Sequence, residues 1–147
     1  MKYEFVEIDE YTTKLKYKDK EFTFKKTVAL LEKIQSTNLE AKANMMKFLK
    51  SRGETANDYI VTKTEGSKVI EDKSNLVELE TTFLGEARNK MYDDICKEFT
   101  GMTYAALMVD IGISVANTKE ALEEIKDFTT GLSKAVMKVD KDTPREN

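Results

Sequence analysis

The chain has 147 residues, 40% hydrophobic and 35% charged, enough for one domain with a real core. Its 24 Lys and Arg against 27 Asp and Glu leave a net charge of −3, which argues against a general polyanion binder. Histidine is absent and Cys96 is the lone cysteine, so histidine triads, imidazole metal sites, an intramolecular disulfide and a CxxC metal knuckle are excluded, and a reducing, cytosolic setting is expected.

Residues 1–25 read as strands. Tyr3, Phe5 and the pair Val6/Ile8 alternate imperfectly. Leu15 and Tyr17 alternate with Lys14, Lys16 and Lys18; Phe22 and Phe24 alternate with Glu21, Thr23 and Lys25. Period two, broken by the polar Asp19-Lys20, predicts an antiparallel β-hairpin over 12–25 with one apolar and one charged face. Charges from Lys2 to Lys20 leave no apolar signal segment. After Thr27 the period lengthens. Val28, Leu31 and Ile34, with Leu30 beside them, predict a short helix. A second helix over 38–52 is capped by Thr37-Asn38, carries Leu39, Ala43, Met46 and Leu49 or Lys50 as its apolar stripe, and stops at Gly53. Both stripes are expected in the core. Tyr59-Ile60-Val61 and Val69-Ile70 flank Thr64-Glu65-Gly66-Ser67, which predicts a second short hairpin near 59–71, a helix or loop being the alternative.

From Ser74 the helical signal is strongest. Leu76, Leu79, Phe83, Ala87, Met91, Ile95 and Phe99 recur about four apart, Asn75 and Glu78 have capping-box spacing, Gly85 weakens the middle and Gly101 ends the run. Thr103 caps a short helix with Tyr104, Leu107, Met108 and Ile111, closed by Gly112. The least charged stretch, Phe99 to Thr118, has Asp110 at its centre and reads as buried core, not as a membrane span. Asn117, with Glu120, caps a last helix over 118–137. Its stripe of Leu122, Ile125, Phe128 and Leu132 is either core or a contact with another copy of the chain. The polar tail 138–147, with Pro144, is expected to be disordered. The expected fold is α+β and mainly α-helical: an N-terminal antiparallel hairpin, then about five helices, in a single domain over 1–137.

Chemical tools are few. Glycines at 53, 66, 85, 101, 112 and 131 spell neither GxGxxG nor GxxxxGK[ST]. Asp93/Asp94 and Glu123/Glu124 are helix neighbours that point about 100° apart, so neither pair converges on one substrate atom. Cys96 has no base beside it and reads as an inert thiol. No catalytic residue, metal or cofactor is expected, and the protein is read as a non-enzyme.

Charge is uneven along the chain. Residues 26–53 carry six positive and two negative side chains; residues 54–98 carry six positive and eleven negative. Lys42, Lys47, Lys50 and Arg52 surround Met45, Met46, Phe48 and Leu49. Three readings are open for this helix: a solvated face, a protein-docking face, or a contact with nucleic acid. Lys42, Met45, Met46, Lys47, Phe48 and Lys50 are therefore candidate binding residues, with Leu122, Ile125, Phe128 and Leu132 from the last helix.

The order of elements resembles the tail assembly chaperones of long-tailed phages and prophages. The likeness lies in a charged opening hairpin (Lys14-Leu15-Lys16-Tyr17-Lys18-Asp19-Lys20-Glu21-Phe22-Thr23-Phe24), a Leu-rich helix at once after it (Thr27-Val28-Ala29-Leu30-Leu31-Glu32-Lys33-Ile34), further helices, and a charged tail. It covers roughly residues 12–136. The resemblance implies a non-enzymatic assembly factor that binds the tape measure protein, helps recruit tail tube protein and is left out of the finished tail. It also implies that a frameshifted longer form is common in the family. A homo-oligomer fits the charge asymmetry, and no membrane partner is expected. The alternatives are a small nucleic-acid-binding regulator using the basic helix 38–52, or another phage tail structural subunit.

Overall fold

The period-two signal at the N-terminus becomes three strands. In the computed structural model, which describes residues 2–137, these are β1 (Glu4–Asp9), β2 (Thr12–Tyr17) and β3 (Lys20–Lys25), antiparallel in the order β1-β2-β3. Helices α1 (Val28–Gln35) and α2 (Thr37–Ser51), a 3₁₀ turn (Ala56–Tyr59), a hairpin of β4 (Val61–Glu65) and β5 (Lys68–Asp72), and helices α3 (Ser74–Thr100), α4 (Tyr104–Ile111) and α5 (Lys119–Val136) follow. With 59% helix and 21% strand the fold is α+β and helix-dominated, and the second hairpin forms. The predicted tail, 138–147, lies outside the described residues.

Contacts group the chain into two compact units. One comprises the chain up to Gln35 and from Met91 onward; the other is the intervening Ser36–Lys90. The sequence reads as one domain because neither boundary carries a linker: one falls between α1 and α2, the other inside α3.

In the discontinuous unit, the sheet register puts Phe5, Leu15 and Phe22 side by side, and Thr13 beside Phe24. Leu15 and Phe24 are fully buried with Ile95, Cys96, Leu107, Phe128 and Leu132. The opposite face is charged, with Lys14 and Glu21 paired at 2.8 Å. A register shift between Glu7 and Asp9 leaves Ile8 without a paired residue, while Val6 stands opposite Lys14 on the charged face. α1 enters this core through Leu30, its Thr27 hydroxyl accepting from the Leu30 N–H at 3.1 Å. Val28, read as core, stands outside instead: it precedes Leu30 by about 200° of helix rotation, so both cannot face inward. Asp110, the one charge amid the apolar stretch, is met by the Tyr17 hydroxyl at 2.7 Å and the Lys20 ammonium at 2.6 Å. Those two groups hold its carboxyl below the usual carboxylate range. The Lys18 ammonium donates to the Asp110 carbonyl, and Gly112, at φ +106°, ends α4 in the left-handed conformation.

In the Ser36–Lys90 unit, α2 lies along the first half of α3. Glu40 pairs with Lys90 at 3.4 Å, and the rings of Phe48 and Phe83 stand 5.4 Å apart. Gly66, at φ +64°, makes the tight turn between β4 and β5.

Helix starts depart from expectation by a residue or so. Thr103 caps α4 as predicted, its hydroxyl accepting from the Ala106 N–H at 3.1 Å. For α5 the cap is Thr118, not Asn117; its hydroxyl takes the Ala121 N–H at 3.2 Å. Ser74 opens α3, donating its N–H to Asp72 at 2.9 Å, so Asn75 stands inside the first turn. Thr37 is likewise buried within α2, whose N-cap position is Ser36.

Two helix glycines should respond to alanine in opposite directions. A Cβ on Gly131 would stand 2.6 Å from Cδ2 of Phe5, a ring hemmed in by Tyr3 and Phe128 at 5.7 Å each. Gly131→Ala should therefore destabilise by about 1–3 kcal/mol despite better helix propensity. Gly85 has nothing within 4 Å of that position, and Gly85→Ala should gain about 0.5–1 kcal/mol. Urea midpoints measure both, and equal shifts of one sign would contradict the packing at Phe5.

Candidate protein-docking face

The sequence of α2 holds two apolar stripes. Thr37, Ala41, Met45 and Leu49 repeat every four residues; Leu39, Ala43, Met46 and Lys50 follow at three and four on nearly the opposite side. A helix lying on one neighbour buries only one of them. The structure buries the first: Ala41 is 6%, Met45 5% and Leu49 1% exposed. Leu39 at 72% and Met46 at 52% face solvent, which corrects the expectation that their stripe is core. The physical reason lies in the side chains next to the first stripe, where the Phe48 ring meets that of Phe83 at a tilt of 54° and holds that side of α2 against α3.

Lys42, Lys47 and Lys50 are exposed around Leu39 and Met46, and among the described residues none of the three has an ion-pair partner. Arg52 behaves differently: its guanidinium bonds Glu54 at 3.0 Å and lies 5.2 Å from the Phe48 ring centre. Of the sequence candidates, Lys42, Met46, Lys47 and Lys50 thus share one open face. Met45 is withdrawn into the interior and Phe48 is half-buried. Periodicity alone places Leu39, which belongs to this face, in the core. The only cue in the sequence is the competing four-residue repeat.

The candidates on α5 divide. Phe128 and Leu132 are completely buried, Ile125 is half-buried against the same core, and Leu122 is 52% exposed. Phe128 and Leu132 therefore have no surface to offer a partner, because the sheet and the second half of α3 already occupy it. Ala121 takes the inward place at the start of the helix.

The neighbouring carboxylates Asp93 and Asp94 each have a structural partner. Asp93 accepts the Tyr104 N–H at 2.9 Å, whereas Asp94 pairs with Lys33 at 3.3 Å, so the two point to different partners. Burial, with the charge of Asp93 adding to it, pushes the Cys96 thiol up to about 12. A thiol held protonated is a poor nucleophile. Among the described residues no helix is long and apolar enough to cross a membrane. No family model matches the chain, and neither a curated protein nor a solved structure matches it.

Proposed function

We propose that this protein is a non-enzymatic phage tail assembly chaperone that binds the tape measure protein and helps recruit tail tube subunits, acting in the host cytoplasm. The observation that carries this reading is the outward stripe of α2, in which Leu39 and Met46 are open to solvent amid three lysines that have no ion-pair partner among the described residues. An amphipathic acidic segment would meet the apolar line with its own apolar side chains and the lysines with carboxylates. Adaptable Met and flexible Lys suit a partner presented in more than one register. The order of elements, which resembles that chaperone family, supports the same reading. A nucleic-acid regulator would need an aromatic platform here, and Phe48 is engaged by Phe83 on one side and Arg52 on another.

The test is the triple reversal Lys42→Glu, Lys47→Glu and Lys50→Glu. All three side chains are exposed, so the melting temperature and circular dichroism should stay those of the parent. Capture of the tape measure protein should fall by about tenfold or more, with most of the change in association rate. Undiminished capture would return this face to ordinary solvated surface. A salt-dependent shift with random DNA, lost in the same mutant, would favour the regulator.

A further inference from the structure

All but one of the ten residues of β4 and β5 are exposed, Val69 at 69%; only Asp72 is half-buried. Among the described residues each of these strands pairs with the other alone, so both outer edges are open. A two-stranded ribbon with no covered face is marginal in water, and a further strand stabilises it.

The two edges differ in what they accept. When a strand pairs antiparallel with its own copy about a two-fold axis, one residue must stand opposite itself, because directly opposed residues share a face. On β4 the central residue is Lys63, and self-pairing sets two ammonium groups against each other. On β5 the central residue is Ile70. Self-pairing there sets Ile70 of one copy against Ile70 of the other, and Lys68 against Asp72 twice. Val69 falls opposite Glu71. Moving the centre to Glu71 opposes two carboxylates; moving it to Val69 gives up both ion pairs. On β5 charge thus selects one register; on β4 a register about Thr64 also sets Lys63 against Glu65, but it puts no apolar pair at its centre, so the edge is chosen by Ile70.

The hairpin is prepared for that register. Asp72 is fixed by the Ser74 N–H at 2.9 Å and by the Lys63 ammonium at 3.2 Å. Because Glu65 faces Lys68 within the hairpin, the row Glu65, Lys68, Asp72 across the junction would alternate in sign. Ile70, 41% exposed in the single chain, would be covered by its counterpart.

We propose that the β5 edge is a self-association site at which two copies of this chain pair antiparallel about Ile70, joining their hairpins into one four-stranded sheet. The proposal does not depend on what α2 binds. Five residues a side make a smaller contact than a standard interface, so the dimer is weak and concentration-dependent.

The experiment is site-directed cross-linking of the full chain. With Ile70→Cys the facing Cα atoms would be about 4.5–5.5 Å apart, within the span of a disulfide. Cys96 is fully buried and does not compete. Under mild oxidation Ile70→Cys should link as a dimer, whereas Lys63→Cys, on the same face of β4, should remain monomeric. Adding Lys68→Glu to the Ile70→Cys chain opposes two carboxylates and should slow linking by about tenfold. Sedimentation of the unmodified chain should show mass rising with concentration, and Lys68→Glu alone should remove the rise. Equal linking at 63 and 70, linking indifferent to Lys68→Glu, or a chain that stays monomeric at millimolar concentration would each overturn the proposal.

Discussion

Phe128→Ala should lower the unfolding free energy by about 3–5 kcal/mol, the range for a large aromatic removed from a core. Phe128 is completely buried, with Tyr3 edge-on at 5.3 Å, Phe5 at 5.7 Å and Tyr104 at 6.4 Å. These neighbours come from two parts of the fold, Tyr3 and Phe5 from the N-terminal segment that enters and forms β1, and Tyr104 from the start of α4. Rigid rings anchored in that way cannot close over the hole, so the cavity cost adds to the lost transfer energy. Against a typical domain stability of about 5–15 kcal/mol, the loss should be visible as a large fall in the urea midpoint. Leu122→Ala, on the same helix but half exposed to solvent, should change stability by about 0.5 kcal/mol or less. Similar costs at the two positions would mean that α5 does not close this core through Phe128.

Met45→Asp and Met46→Asp, one residue apart, should separate folding from binding. Met45 is 5% exposed, and a carboxylate there would be buried without a partner, costing several kcal/mol. The Ser36–Lys90 unit has few fully buried apolar residues among those described (Ala41, Met45, Leu49 and Ala87), so that loss should unfold it. Met46 is 52% exposed; an aspartate there stays hydrated and should leave the helix signal intact. If α2 docks a partner through Leu39 and Met46, the same substitution should remove binding, since it places a charge in the apolar line and weakens the basic surround. Circular dichroism and partner capture on both variants give the result. A folded Met45→Asp with an unfolded Met46→Asp would restore the face first read from the sequence.

What the sequence determined by itself is local. Alternation of Leu15, Tyr17, Phe22 and Phe24 sets strands because period two in a pleated chain puts those side chains on one face. Gly53, Gly66, Gly101 and Gly112 all carry positive φ, and each sits where a helix end or a turn was expected. Thr103 was legible as a cap because a short hydroxyl side chain reaches a free N–H at a helix start. Each of these depends on neighbours within a few residues. The tertiary structure decided which side of an element faces inward and what satisfies its polar groups. Both stripes of α2 have helical spacing, and the choice between them goes with contacts to α3, among them Phe83, thirty-five residues beyond Phe48. Val28 yielded to Leu30 for the same reason: burial goes to the side that finds a surface. Asp110 draws its partners from the adjoining ends of β2 and β3 some ninety residues earlier, and the division at Ser36 and Lys90 follows from contacts, not from composition. Periodicity along a chain specifies that a face exists; the packing free energy that chooses among faces resides in residues distant in sequence.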